Sequence, residues 1–374
     1  LFFEISKVAL SIMKNIYKVL LIILFGFVFS AQAEAAKIYW VATNDGTEKL
    51  WSNSANWSGG NGNAPGKKDI AIFNGNGLSS VKLTKSVKVW KLHVLNAYSG
   101  TINLNGLQLA SRKGQLIAGG KVDVNGGFLQ SWGWTYIQSG GEVDASGSGS
   151  SIKLGHNLSI NGGTLTAPDG DSSRFIVLGG FNIYGGGVFH HNSGTVTMTT
   201  ASKWRGIPGA AIRNDDGPGI GRNNYNLYKN GPRHVTLTTN DIEIKNDLTI
   251  IGTQGSIRAK TNNITVGGDW TLYTWKNFDA GTGKVIFNGS SAQTISWQTN
   301  NTRKFNNLEI SNPSVVSLAK NTDISGTLTI VDGATLDING YNLTAGTLVN
   351  DGNLQLQGGE TVKIPDTANS GMDT

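Results

Sequence analysis

The sequence contains no cysteine, and this absence removes several classes of protein at once. A small scaffold held by disulfides, a zinc site made of thiolates and a cysteine nucleophile are all excluded. Charged residues make up 15% of the 374 residues, well below the roughly 25% of an average soluble domain. The net charge of +6 is a mild excess for a chain of 374 residues and does not make the dense basic patch of a nucleic-acid-binding protein, so we expect no nucleic-acid partner.

Glycine is the abundant residue, with 51 in the chain, which is roughly twice its usual frequency. The glycines follow no three-residue period, so the chain is not collagen-like. Because glycine costs roughly 1 kcal/mol at each helical position, a mostly helical protein is excluded as well. The hydrophobic fraction of 38% is too high for a disordered chain. The composition therefore predicts an all-β protein that is rich in turns.

The pattern of the first 35 residues indicates a targeting segment that is not part of the fold. Residues 13–35 contain Lys14 and Lys18, an unbroken apolar run over 19–29 and small residues up to Ala35, the pattern of a secretory signal peptide. The apolar run is shorter than the roughly 20 residues of a membrane span, so we expect no span once the peptide is removed. Residues 1–12 are expected to be a non-native upstream extension. Export of a chain without cysteine indicates a bacterial source.

Short strands with apolar residues two apart fill the rest of the chain, and each ends at Gly or Asn-Gly. A pattern of strand, corner and strand recurs at residues 119–127, 156–165, 179–189 and 325–340. A repeat of roughly 20 residues is what one turn of a β-solenoid requires, because stacked turns align Val, Leu and Ile into interior rows. Glycine and asparagine suit the corners, since both accept left-handed backbone angles.

An antiparallel sandwich or barrel is the alternative fold. It is favoured by four Asn-Gly pairs of the kind found in hairpins, which begin at Asn105, Asn125, Asn161 and Asn339. One sandwich rarely needs this many strands, so the solenoid is the preferred prediction.

A resemblance to known proteins is carried by residues 51–60, WSNSANWSGG, and by residues 69–75, DIAIFNG. These segments resemble the N-terminal module of large secreted bacterial β-helix proteins of the autotransporter or adhesin type. Residues 267–270, 278–295, 305–310, 326–330 and 336–343 are similar to the repeats of such surface proteins. The resemblance implies a right-handed parallel β-helix with an N-terminal β cap region. It also implies surface display or release, with a structural or adhesive role.

The predicted organisation has four parts after the signal peptide. They are a Trp-rich β cap at 36–80, a first solenoid part at 81–200, a basic excursion rich in Pro and Gly at 201–234, and a second solenoid part at 235–374, which we expect to be truncated at its C-terminus.

The excursion at 201–234 is the longest stretch in which the strand pattern lapses, and such stretches tend to be functional or disordered. Trp204, Tyr225 and Tyr228 lie there beside an excess of Arg and Lys. Aromatic rings beside cations suit stacking on sugars or pairing with an acidic polysaccharide. A flexible basic loop without a ligand is the alternative interpretation.

A catalytic site has one candidate, the adjacent acidic pair Asp215 and Asp216, with Arg213 and Arg222 nearby. Hydrolysis of a polysaccharide needs converging carboxylates, and a lyase needs a base with a cation that stabilises the enolate. Adjacent residues on a strand point to opposite faces, however, and Asp-Asp-Gly is typical of a turn. We therefore expect no catalysis, no metal site and no cofactor.

Trp132, Trp134 and Tyr136 lie two residues apart, so they share one face if the segment is a strand. If the rings are exposed, they form a platform for sugars, and if they point inward, they form an aromatic ladder in the core. The inward ladder is favoured because solenoids stack like residues inside.

Together these patterns predict a secreted or cell-surface β-solenoid with a structural or adhesive role and no catalysis. A carbohydrate-active β-helix enzyme, either a polysaccharide lyase or a glycoside hydrolase, is the first alternative, and a glycan-binding module is the second. The expected partners are glycans, extracellular matrix or other copies of the chain. Exposed and coplanar Trp132 and Trp134 would favour the glycan-binding module.

Overall fold

A computed structural model describes residues 34–60, 62–199, 210–214, 224, 226–230, 234–251, 255–273, 278–298, 303–365 and 369–370, with the backbone alone at 210–214, 303–304 and 369–370. All strands lie in one compact unit, Lys37–Thr374. The described residues contain no α-helix, and their one 3-10 turn spans Ser54–Asn56. The predicted signal peptide lies outside them except for Glu34 and Ala35. The described part of the chain has no helix long and apolar enough to cross a membrane.

The strands, numbered in chain order, form four sheets. Sheet A comprises β1 (Lys37–Trp40), β3 (Trp57–Ser58), β4 (Ile70–Phe73), β7 (Lys91–Val94), β10 (Gln115–Ile117), β13 (Thr135–Gln138), β16 (Leu158–Asn161), β19 (Phe181–Tyr184), β22 (Ala210–Asn214), β24 (Val235–Leu237), β27 (Ile257–Arg258) and β30 (Phe278–Asp279). Sheet B comprises β2 (Lys49–Leu50), β5 (Val81–Lys82), β8 (Thr101–Asn103), β11 (Lys121–Asp123), β14 (Glu142–Asp144), β17 (Thr164–Thr166) and β20 (Val188–His190).

Sheet C comprises β6 (Val87–Val89), β9 (Gln108–Ser111), β12 (Phe128–Ser131), β15 (Ser151–Leu154), β18 (Phe175–Val177), β21 (Thr195–Thr199), β23 (Asn226–Asn230), β26 (Leu248–Ile250), β29 (Trp270–Leu272), β32 (Gln293–Trp297), β35 (Val315–Leu318), β37 (Thr335–Asp337) and β39 (Asn353–Gln355). Sheet D comprises β25 (Ile242–Ile244), β28 (Ile264–Val266), β31 (Lys284–Phe287), β33 (Arg303–Phe305), β34 (Asn307–Ile310), β36 (Thr322–Ile330), β38 (Leu343–Asn350), β40 (Val362–Lys363) and β41 (Asn369–Ser370). Sheet B ends at β20, and sheet D begins at β25.

About twelve turns stack into a β-solenoid. Most of the turns up to β20 contribute strands to sheets A, B and C, those from β24 to β32 contribute to sheets A, D and C, and the described strands after β32 lie in sheets C and D. In sheet A, for example, Val94, Ile117, Ile137 and Ile160 align in successive turns and form one interior row. The strand pairs are parallel except that β3 pairs antiparallel with β1 at the first end of sheet A. The predicted β-solenoid with an N-terminal β cap is thus confirmed.

The interior is filled by the apolar side chains of each strand, and the N-terminal end contains an aromatic cluster. Trp40 is fully buried, and its ring centroid lies 4.9 Å from that of Trp57 and 5.6 Å from that of Phe73. The indole nitrogen of Trp57 donates to the carbonyl oxygen of Trp51 at 2.8 Å. These rings close the end of the core at the first turn of the described part of the chain.

Part of the high glycine content is explained by the A–B corner, which is the connection from a sheet A strand to the sheet B strand that follows it. Gly119, Gly141, Gly163 and Gly187 occupy it in successive turns. A Cβ at any of these positions would lie 2.1 to 2.5 Å from a carbonyl oxygen of the preceding turn. Only glycine permits so close an approach of two backbones.

The Asn-Gly pairs lie at corners between parallel strands and do not form hairpins, so the sandwich alternative is wrong. Asn105 and Gly106 connect β8 to β9 with φ angles of 51° and 75°. The Asn105 side-chain amide donates to the Leu83 carbonyl oxygen of the preceding turn at 3.3 Å. The same residue pair that closes a hairpin therefore also suits a solenoid corner.

The strand pattern does not lapse across all of 201–234, which corrects the sequence-based expectation. Ala210–Asn214 pairs with β19 and β24, and Asn226–Asn230 pairs with β21 and β26. The turn that leads from β21 to β23 is longer than the turn that leads from β23 to β26. Neighbouring Pro, Gly and Arg residues concealed both strands in the sequence. Residues 201–209, 215–223, 225 and 231–233 lie outside the described part.

A group of polar side chains is buried inside the solenoid between β9 and β13. Ser111 aligns with Ser131, and Gln115 aligns with Thr135 in the next turn. All four residues are at most 3% exposed. The hydroxyls of Ser111 and Thr135 and both amide atoms of Gln115 have no hydrogen-bond partner. Burial of such groups costs free energy because they exchange water for an apolar surrounding.

We expect the Thr135→Val variant to be more stable than the wild type by about 1 kcal/mol, because the methyl group replaces an unpartnered buried hydroxyl at constant shape. Thr322→Val is the matched control, since the Thr322 hydroxyl is equally buried but donates to the Lys320 carbonyl oxygen at 3.1 Å. That control should lose about 1 kcal/mol. Thermal and urea unfolding measure both, and equal losses in the two variants would contradict the prediction.

Candidate functional site

The candidate site begins at the C–A corner, which is the connection from the sheet C strand of one turn to the sheet A strand of the next. Because Val89, Ser111 and Ser131 align in sheet C, the residues that follow them also align. These are Trp90, Arg112 and Trp132. The corner therefore alternates tryptophan, arginine and tryptophan in successive turns.

Cationic side chains lie over the tryptophan rings of this corner. The Arg112 guanidinium carbon is 5.7 Å from the centroid of the Trp90 ring, and the Lys113 ammonium is 5.2 Å from it. Lys88 lies over Trp132, with its ammonium 4.4 Å from the ring centroid. In sheet C, the residue aligned with Lys88 in the next turn is Ala110, and its small side chain lets the lysine cross that turn.

Three rings lie nearly parallel beyond this corner. The Trp134 ring centroid is 4.8 Å from that of His156, at an interplanar angle of 21°, and 5.8 Å from that of Tyr136, at 18°. Trp134 is 44% exposed, and Tyr136 and His156 are partly exposed. The expected inward ladder is therefore wrong. Thr135 and Ile137 take the inward positions of β13, which leaves the alternate residues to face solvent.

The residue that aligns with Trp134 in the preceding turn has no side chain. The residue aligned there is Gly114, and the following residue, Gln115, donates its backbone N–H to the Trp134 carbonyl oxygen at 2.9 Å. Gly114 has a φ of +116°, and a Cβ on it would lie 2.5 Å from the same oxygen. Backbone geometry therefore excludes a side chain at this position, while His156 of the next turn contacts Trp134 from the other side.

The outer face of sheet A continues from these rings into a groove of about 510 Å³. Leu116, which aligns with Tyr136, lies in its wall together with the amide side chains of Asn96, Gln138 and Asn161. The alternation along β13 places Trp134, Tyr136 and Gln138 on the same outward face. Rings and amides thus form one continuous surface, which we call the sheet A site.

The electrostatics of this surface are dominated by cations. Lys88, Arg112 and Lys113 are exposed, and none of the ion pairs formed by the described residues includes them. Burial lowers the pKa of His156, and the Asn157 backbone N–H donates to its Nδ1 at 2.9 Å. Its ring is therefore a neutral stacking partner at neutral pH. Burial raises the pKa of the Tyr136 hydroxyl, which stays protonated.

Acidic groups lie instead on the outer face of sheet B. The Lys121 ammonium is 3.2 Å from a carboxylate oxygen of Glu142 and 2.6 Å from one of Asp144. Burial raises the pKa of the neighbouring Asp123, and the Asp144 charge adds to this effect. Within the described residues, no group of three or more His, Asp or Glu side chains could hold a metal ion.

The other predicted site residues are not brought together with this surface. Tyr228 lies on β23 in sheet C, aligned with Thr197 and Thr249, away from the C–A corner. Arg213 lies on β22, where its backbone aligns with that of Asn182. The remaining residues, Trp204, Tyr225, Asp215, Asp216 and Arg222, lie outside the described part of the chain, so the catalytic alternative stays a prediction.

Sequence reasoning identified Trp132, Trp134 and Tyr136 but not the residues that surround them. Lys88, Trp90, Arg112, Lys113 and His156 come from other turns and are distant in sequence. The available signal was the repeat itself, because Trp90, Arg112 and Trp132 recur once in each turn. Comparisons with protein-family models, with curated proteins and with solved structures give no match to the chain.

Proposed function

We propose that the protein is a secreted or cell-surface adhesive β-solenoid that binds glycans on the sheet A site without catalysing their cleavage. The observation that carries the proposal is the exposed Trp134 ring within the nearly parallel array of Tyr136 and His156. Exposed aromatic rings of this kind suit the apolar faces of sugar rings. Gly114, the residue of the preceding turn that aligns with Trp134, carries no side chain that could cover the ring.

The groove supplies hydrogen-bonding groups, which the stacked rings do not offer. Asn96, Gln138 and Asn161 offer both amide donors and acceptors, which match the hydroxyl groups of a sugar. The chain is extended between Trp134 and Gln138, which places the two residues about 13 Å apart along β13. The sheet A site therefore has the length of a short oligosaccharide, which would stack at one end and form hydrogen bonds at the other.

Binding without turnover is favoured over hydrolysis by the arrangement of the described carboxylates on the neighbouring sheet B. Glu142 and Asp144 lie on the same flat strand face, and the same lysine neutralises both. A glycosidase instead places two carboxylates on opposite sides of the scissile bond. A carbohydrate-active enzyme that uses Asp215 and Asp216 remains the second candidate. An assay for the release of sugar products distinguishes it from an adhesin.

We expect the Trp134→Ala variant to lose glycan binding by at least about tenfold, because large aromatic residues carry much of the energy of such surfaces. A glycan array identifies the ligand, and titration calorimetry then gives the dissociation constants. Tyr273→Ala is the control, since Tyr273 is 45% exposed but follows β29, far from the sheet A site.

The same preparations are assayed for release of reducing sugars and of unsaturated products. Unchanged binding by Trp134→Ala would contradict the proposed site. Product release that Asp215→Asn abolishes would replace adhesion by catalysis.

A further inference from the structure

Resting on the proposed function, we infer that the glycan bound at the sheet A site is anionic. Its carboxylate or sulfate groups are held by Lys88, Arg112 and Lys113 at the C–A corner.

The first support is the separation of charge between two faces of the solenoid. The three cations of the corner are exposed and belong to none of the ion pairs among the described residues. The carboxylates of Glu142 and Asp144 lie on the outer face of sheet B and are bound by Lys121. An anionic ligand on the C–A corner therefore meets positive charge that none of these ion pairs neutralises.

The second support is the position of the cations relative to the rings. The charged groups of Lys88, Arg112 and Lys113 lie 4.4 to 5.7 Å from the centroids of Trp132 and Trp90. Contact with a ring restrains long side chains that would otherwise lose more conformational entropy on binding. The planar Arg112 guanidinium can also bind a carboxylate or sulfate through two parallel hydrogen bonds.

The third support is the position of Trp134 relative to the cations. Trp134 aligns with Gly114, which directly follows Arg112 and Lys113 in the preceding turn, and the charged groups of these two residues lie over Trp90 one turn further back. A glycan that extends from Trp134 across these turns reaches the two cations. Neutral sugars gain nothing from this arrangement, whereas a uronic acid or a sulfated sugar gains a charge-assisted hydrogen bond, which is roughly twice as strong as a neutral one.

Binding of the full chain to polygalacturonate and to its methyl ester tests the inference, because esterification removes the charge and keeps the backbone. Carrageenan, which carries sulfate esters and no carboxylate, distinguishes a sulfate requirement from a carboxylate requirement. We expect the acid forms to bind at least about tenfold more tightly than the ester, a difference that NaCl suppresses. The double variant R112Q/K113Q should lose this preference, and K320Q/K363Q, which removes two distant lysines, should keep it.

The anionic preference would be overturned if the acid and the ester bound equally and R112Q/K113Q bound like the wild type. If Trp134→Ala failed to bind in the same experiment, the proposed function would still stand. Failure of the wild type to bind any glycan would overturn both. Single-stranded oligothymidylate is included as a competitor, because rings beside cations also bind nucleic acids. If it binds more tightly than every glycan, the ligand class assigned here is wrong.

Discussion

The Trp40→Ala variant is expected to have a free energy of unfolding about 4 kcal/mol lower than that of the wild type. This loss is typical of the truncation of a buried aromatic residue. Trp40 is fully buried and contacts Trp57 and Phe73, and its indole nitrogen donates to the Ser79 carbonyl oxygen at 3.0 Å. Truncation leaves a cavity in the first described turn and removes this hydrogen bond.

The loss should also be local, because each turn of a solenoid contacts only its neighbours. Hydrogen exchange in Trp40→Ala is expected to accelerate in β1, β4 and β7, with little change in β28 and the strands after it. Trp134→Ala is the control, since the exposed ring contributes little to the core. Uniform acceleration along the whole chain would show that the solenoid unfolds as one cooperative unit.

The Gly141→Ala variant is expected to lose about 3 kcal/mol of stability, because overpacking between two backbones cannot be relieved by a side-chain rotation. A Cβ on Gly141 would lie 2.2 Å from the Ile117 carbonyl oxygen and 3.0 Å from the Ala118 backbone nitrogen. Two turns would have to separate at the A–B corner, which weakens the hydrogen bond from the Glu142 backbone N–H to the Gly120 carbonyl oxygen at 3.0 Å.

Gly106→Ala is the matched control for this variant. Gly106 has a φ of +75°, but no atom lies within 4 Å of a Cβ built on it. Its substitution therefore costs only the backbone strain, roughly 1 kcal/mol. Denaturant unfolding of both variants separates close approach from conformational strain. A loss at Gly141 no larger than that at Gly106 would refute the explanation given for glycine at the A–B corner.

The general fold was predictable from the sequence because two local signals repeat. Apolar residues two apart indicate strands, and Gly or Asn-Gly indicates corners. The predicted repeat of roughly 20 residues per turn agrees with the alignment of Ile117 with Ile137 in the structure. The strands Ala210–Asn214 and Asn226–Asn230 were missed, since their pairing partners lie a full turn away and their local composition favours a loop. Pairing between turns is a long-range property that no short window contains.

The site was predictable only in part, for a related reason. The spacing of Trp134 and Tyr136 correctly placed both rings on one face, but it could not decide which face. That choice was made by Thr135 and Ile137, which point inward. Arg112 and His156 belong to the preceding and the following turn, so they gave no signal near residue 134.

The unequal lengths of the turns show how the surface of a solenoid can change during evolution. The chain between the aligned residues Val196 and Leu227 is longer than the chain between Leu109 and Leu129, yet both pairs occupy matching positions in neighbouring strands of sheet C. Added residues are therefore absorbed outside the paired strands, while the interior rows stay unchanged. Selection can alter one corner without compensating changes elsewhere, and a recognition surface can be lengthened or re-specified one turn at a time.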